Sequence, residues 1–234
     1  MNIARLTTVL SAAVLTSIAG TAIAAPVNLI TNGSFESGLS GWTQTGFPTT
    51  YTPTTTPIAA ITYGSNAAYP VGAFGEAVPV PNDASQSPDA AGMHGAYFVD
   101  DNAVNEGLSQ SIFLAAGSYR VGFDAYAPFN GYSNPNDATF AAQIAGATLA
   151  SYAVSSTTAG VWTAFTGLAN IVTPGFYSAS FVFNSFGTTA KDVVIDRVYV
   201  IASTDTGGQS IPEPSTIALL GLAVAGLVAA RRRK

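Results

Sequence analysis

Strict alternation of apolar and polar residues, with no helical stripe competing with it, is what most limits how this chain of 234 residues can fold. Leu108, Gln110, Ile112 and Leu114 alternate with Ser109, Ser111 and Phe113. After the turn Ala116-Gly117-Ser118, the residues Tyr119, Val121, Phe123 and Ala125 alternate with Arg120, Gly122, Asp124 and Tyr126. A two-residue period sends successive side chains to opposite faces of a strand. The two segments therefore predict a hairpin with one apolar face. Tyr177, Ala179, Phe181 and Phe183 repeat the pattern against Ser178, Ser180, Val182 and Asn184. Residues 192–201 are apolar on both faces, which predicts a strand central to its sheet. Residues 95–99, 139–145, 148–154 and 161–171 are further strand candidates. About nine or ten short strands broken by Gly, Pro and Asn predict an all-β fold, an antiparallel β-sandwich.

The two ends follow different rules. Arg5, an apolar core at residues 6–19 and the small-x-small triplet Ala22-Ile23-Ala24 predict a secretory signal peptide over residues 1–24. At the other end, Pro212-Glu213-Pro214 precedes an uncharged apolar run at residues 216–230, and the sequence finishes on Arg231-Arg232-Arg233-Lys234. Such a run predicts a single hydrophobic helix whose basic tail stays on the cytoplasmic side. At about 1.5 Å per residue, residues 215–230 reach roughly 24 Å, short of the about 30 Å hydrocarbon core. A short helix of this kind suits a transient anchor. The order tripeptide, apolar run, basic end resembles the PEP-CTERM sorting signal. The resemblance implies recognition of Pro212, Glu213 and Pro214 by the membrane-embedded transpeptidase exosortase in a Gram-negative bacterium that makes exopolysaccharide. It also implies export through the inner membrane, brief anchoring there, and cleavage that leaves the protein at the cell surface or outside the cell. Between the ends lie an ectodomain at residues 25–202 and a linker at 203–211 containing Gly207-Gly208.

Removing the ends changes the charge. The exported part keeps three bases, Arg120, Lys191 and Arg197, against twelve acids, a net charge of −9. Phosphate binding needs a basic face, so nucleic acid is excluded as a partner class. The chain has no cysteine, which rules out disulfides, thiolate metal sites and a cysteine nucleophile.

The opening stretch contains Asn32-Gly33-Ser34-Phe35-Glu36 and then Gly41-Trp42. With the Leu-x-Gln-x-Ile-x-Leu segment and the closing Asp-x-Val strand, it resembles galactose-binding-like jelly rolls, carbohydrate-binding modules among them. The resemblance implies that Trp42 is core. It also implies a structural calcium held by Glu36 from the opening motif and Asp196 from the closing strand. Asp196 lies between valines, where a lone carboxylate is costly. Calcium takes six to eight oxygens, so carbonyls of residues 28–33 would complete the set. The alternative is an ion pair of Asp196 with Arg120 or Lys191.

Catalytic candidates are sparse. His94 is the one histidine, and no nucleophile elbow accompanies it. Asp100-Asp101 read as solvated turn residues, and Asp192 and Asp196 share a face of the closing strand. No catalytic pattern surrounds either pair, so the sequence predicts no catalytic residue and no enzyme. Sugar binding needs an exposed aromatic platform with polar neighbours, for which Tyr63, Tyr69, Tyr97, Tyr126, Tyr132 and Trp162 are candidates. The Thr- and Pro-rich residues 43–57 read as an extended surface loop or edge. The sequence reading is a non-enzymatic surface or extracellular-matrix component, with a carbohydrate-binding module for exopolysaccharide as the alternative and a glycan-active hydrolase behind it. Intact-mass analysis of the mature surface protein should show residues 219–234 missing; finding the Arg-Arg-Arg-Lys tail on that form would rule the processing out.

Overall fold

Ten strands form among the described residues, eight of them where the sequence predicts strands; Thr43–Thr45 falls in the Thr/Pro-rich stretch read as a loop or edge, and Ala59–Thr62 carries no strand expectation. In the computed structural model, β1 (Thr43–Thr45), β4 (Glu106–Leu114), β9 (Gly175–Asn184), β6 (Thr139–Ile144) and β7 (Ala147–Ala153) lie in that order in a first sheet. β2 (Ala59–Thr62), β3 (His94–Phe98), β10 (Val193–Ala202), β5 (Gly117–Tyr126) and β8 (Thr163–Ile171) form the second. All neighbouring pairs are antiparallel. The structure describes residues 26–46, 56–81 and 86–203. The signal peptide, most of the Thr/Pro-rich stretch, the linker beyond Ser203 and the sorting signal with its helix and basic tail lie outside the described residues. Two short helical turns, α1 (Phe129–Tyr132) and a 3-10 turn at Val154–Ser156, have no counterpart in the sequence pattern.

One expectation fails. β4 and β5 do not form a hairpin; they belong to different sheets, and residues 115–116 carry the chain across the sandwich. The physical reason is that both strands have an apolar face needing cover. In a hairpin those faces would lie side by side, whereas the crossing lets them meet: Leu108, Ile112 and Leu114 join Val121 and Phe123 in one buried cluster. β10 is central in its sheet and buried along almost its whole length, as its two apolar faces require.

The opening segment is a series of turns rather than a strand. Leu29 N donates to Val200 O at 2.8 Å and Val198 N to Gly33 O at 2.9 Å, so the segment finishes the edge of β10. Gly33 is required there, since a Cβ would stand 2.1 Å from the Val198 carbonyl oxygen. Gln110 closes the segment from the other sheet, accepting from Thr31 N and donating to Thr31 O and Gly41 O. Trp42 is 8% exposed, packs on Phe35 and Phe181, and donates its indole N–H to Asn32 O. It is core.

Phe181 is the hub between the sheets, 5.1 Å from the Phe123 ring and 6.0 Å from Trp42. It is fully buried. Phe181→Ala should therefore cost about 3–5 kcal/mol, read as a lowered urea midpoint.

Candidate functional site

Each sheet has an outward face, and that of the second is covered over β2, β3 and β10 but open along β8. Residues 63–81 lie over the second sheet, where Ile61, Tyr63, Tyr69, Tyr97, Tyr126 and Val194 form a second buried cluster with Trp162 packed against it. This removes most of the predicted platform: Tyr63, Tyr69, Tyr97 and Tyr126 are core residues. Trp162 is half-buried and donates to Pro79 O, while the Tyr132 hydroxyl donates to the carbonyls of Ser155 and Thr157.

The outer face of the first sheet carries what the platform needed. Phe113 on β4 and Phe176 on β9 stand directly opposite one another, 58% and 76% exposed. Their rings are 5.5 Å apart in an edge-to-face arrangement. Along the same two strands follow the pairs Ser111–Ser178 and Ser109–Ser180, and β6 adds Gln143 opposite Ser180 and Thr139 opposite Asn184. None of these outward positions is charged, although the exported part has a net charge of −9. A row of hydroxyls and amides, interrupted by Val182 opposite Ala141 and ending in two apolar rings, can offer hydrogen bonds and ring contact together, with no charge to neutralise. The sequence held one sign of this face: Phe113 occupies the polar phase of its own strand, in step with Ser109 and Ser111.

The acids lie elsewhere. Asp196 is fully buried, accepting from the Tyr63 hydroxyl at 2.9 Å and from Arg197 N at 2.6 Å. Directly across the ladder stands Asp124, also buried, with no hydrogen-bond partner among the described residues. Asp192 accepts from the Tyr97 hydroxyl. Asp100 is 1% exposed, and its carboxylate accepts from Asn102 N, so it is not the solvated turn residue the sequence predicts. Asp101 accepts from Ala190 N. His94 sits at the start of β3 with its Nδ1 3.4 Å from Glu36. Asp100, Asp101, Asp192 and Asp196 line neither of the two described cavities, one an open cleft of about 480 Å³ between residues 26–36 and 88–90.

Glu36 borders that cleft, yet its Oε1 accepts from Met93 N and His94 N, both at 2.8 Å. Three of the six carbonyls expected to complete a calcium set are engaged too: Thr31 O by Gln110, Asn32 O by Phe35 N and Trp42, and Gly33 O by Val198 N. No group of three or more acidic or histidine side chains able to hold an ion occurs among the described residues. This donor set does not fit a calcium bridging Glu36 and Asp196. The base acting on Asp196 is Arg197, buried at the bulge after it with φ of 51°. Neither base named by the sequence takes that place. Arg120 stands opposite Ile201, and Lys191 donates to the carbonyls of Tyr132 and Asn134.

Residues 210–234 match the family model described as the PEP-CTERM protein-sorting motif. The chain carries a PEP-CTERM motif. That motif marks an exported protein handed to exosortase. No curated protein matches the chain. Among solved structures, the sandwich is similar to a family 61 carbohydrate-binding module in complex with beta-1,4-galactotriose, at 20% identity and a TM-score of 0.49, over 76% of this chain and 99% of that one. It is similar to the Stig cyclase Fisc from Fischerella sp. TAU at 18% identity and a TM-score of 0.49, over 76% and 98%. A family 4 carbohydrate-binding module follows at 16% identity and a TM-score of 0.37, over 74% and 99%. These are likenesses of fold.

The buried acids set a pH dependence. Burial pushes Glu106, Asp192 and Asp196 up to about 8 and Asp124 up to about 6, with the Arg197 charge pulling Asp124 and Asp196 partly back. The native state thus holds more protons than the unfolded chain from about pH 4, where free carboxyls titrate, up to about pH 8. Stability in that window falls as pH rises, being fully present below the unfolded values and lost on passing the folded ones. Thermal melts should give a higher Tm at about pH 5 than at about pH 8.5, and Asp196→Asn should flatten the slope.

Proposed function

We propose that the sandwich is a non-enzymatic module, displayed at the cell surface after exosortase processing, that binds a neutral polysaccharide across the open face of the first sheet. The observation supporting this reading most is the pairing of Phe113 and Phe176 at the end of an uncharged row of Ser, Thr, Asn and Gln side chains. A sugar ring has an apolar C–H face and a hydroxyl rim. The first suits an exposed aromatic ring and the second suits hydroxyl and amide partners. An anionic polymer would meet a net charge of −9 with no base on the face to offset it. The sorting motif supports the choice of an extracellular polymer as the partner.

The buried acids support a module that binds without turnover. A glycosidase needs two carboxyl groups flanking an accessible bond. Here Asp100, Asp192 and Asp196 are enclosed and serve hydrogen bonds to tyrosine hydroxyls and backbone amides.

Mature protein recovered from the cell surface should be retarded in affinity gels cast with the host's neutral exopolysaccharide. Phe113→Ala and Phe176→Ala should each weaken that retention about tenfold, equivalent to about 1.4 kcal/mol, while Phe186→Ala should leave it unchanged. Equal retention of all variants would remove the face as the site, and release of shorter oligosaccharides would establish an enzyme instead.

A further inference from the structure

The two described sheets end in four edge strands, and an edge presents a row of backbone N–H and C=O groups that another chain can extend. Folded proteins blunt their edges with short strands, bulges, prolines or charged side chains. Three of the edges here are blunted. β1 and β2 have three and four residues. β7 is longer, but its register against β6 shifts where Ala142 pairs with Ala150 and Gln143 with Thr148, leaving Leu149 as a bulge. β8 has none of these devices. Its nine residues, Thr163–Ile171, run in unbroken register against β5 and contain no proline and no charge. Among the described residues no strand pairs with its other side.

The side chains of β8 divide cleanly. Phe165 turns inward to stack between Phe123 and Tyr152, and Leu149 packs beneath Gly167. Ala164, Thr166, Leu168 and Asn170 are exposed, Leu168 at 70%. The surroundings are short of charge as well. Residues 138–190, which include β6 to β9, contain no Asp, Glu, Lys or Arg. The charged groups nearest β8 belong to other segments. On β5, Arg120 stands opposite Leu168, and Asp124, opposite Ala164, is buried. Glu76 accepts from Phe129 N and Asn130 N, and Asp137 accepts from Ser155 N beyond the end of β7. The exported part has a net charge of −9, so two copies repel one another wherever their acids meet. β8 is a long edge at which they meet without facing acids. A partner recognised by charge finds nothing on this strand to pair with, whereas a second copy brings an equally uncharged one.

We propose that two copies of the protein join β8 to β8 in antiparallel fashion, about a two-fold axis, and so merge two five-stranded sheets into one of ten. Such an interface is self-complementary, since the same strand supplies both sides. Full overlap of the nine residues sets Gly167 of one copy opposite Gly167 of the other, Thr166 opposite Leu168 and Ala164 opposite Asn170. This register keeps inward side chains with inward ones. The axis runs perpendicular to the joined sheet, so the faces carrying Phe113 and Phe176 point to the same side in both copies. Two such faces side by side hold one polymer more firmly than either alone. That consequence rests on the polysaccharide reading, and the dimer itself does not.

Sedimentation velocity of mature protein recovered from the cell surface should give a dimer. Thr166→Lys, which puts a charge on the exposed side of the edge, should give a monomer, and Thr43→Lys on the β1 edge should remain a dimer. Circular dichroism verifies the β signature of each variant. The chain contains no cysteine, so Asn170→Cys takes a single spin label. In the proposed register the two labelled positions lie six residues apart along the joint, about 20 Å between α-carbons, a separation read by double electron–electron resonance. A monomeric unaltered protein, alone or bound to some other protein through β8, overturns the proposal. So does a dimer that survives Thr166→Lys or holds the labels far beyond that distance. Phe113→Ala and Phe176→Ala should sediment as dimers whatever their retention by polysaccharide, so the two readings fail separately.

Discussion

The structure depends on how β10 is completed. Its first half pairs with β3 on one side and β5 on the other, and after the bulge at Arg197 the β3 side is empty. Residues 28–33 fill that side with the Leu29–Val200 and Gly33–Val198 hydrogen bonds, and Asn28 adds one more to Val200 N. An exported chain without cysteine has no covalent means of holding its first residues to its last strand. Here the backbone ladder does that work, helped by Gln110 from the facing sheet. The Asn-Gly-x-Phe-Glu stretch is therefore structural: Asn32 ties the turn, Gly33 permits close approach, Phe35 and Trp42 enter the core, and Glu36 caps the start of β3.

Closing the chain in this way uses up groups that a metal site would need. The carbonyls of residues 31–33 are hydrogen-bonded within the fold, and Glu36 is committed to two amides. A positive charge still stands beside Asp196, but it belongs to Arg197 and is part of the polypeptide. Burying Asp124 and Asp196 opposite one another raises their proton affinity.

The long cover over the second sheet has a similar consequence. By burying four tyrosines and enclosing the acids, residues 63–81 leave the first sheet with an open face. That face is free of charge because its strands alternate core residues with Ser, Thr, Gln and Asn. The arrangement leaves Asp124 and Asp196 inside and an uncharged row of side chains on the outer face of the first sheet.

Much of this was legible in the residues alone. Most strand positions and the central place of β10 follow from a two-residue period and from the need to bury apolar faces, both local properties, while the core role of Trp42 was implied by the resemblance of its motif. The sorting motif is likewise a linear signal, read by its order of tripeptide, apolar run and basic tail. Partner choice is different, because it depends on which faces meet. Alternation made β4 and β5 half-buried strands but could not say whether they paired side by side or faced each other across the core. Tyr63 and Tyr97 look like any strand tyrosine until residues 63–81 cover them, and Phe113 looks like a phase error until Phe176 arrives opposite it from more than sixty residues away. The sequence determined the strands and the destination; long-range packing decided which surface stayed open, because exposure is a property of neighbours and not of the residue.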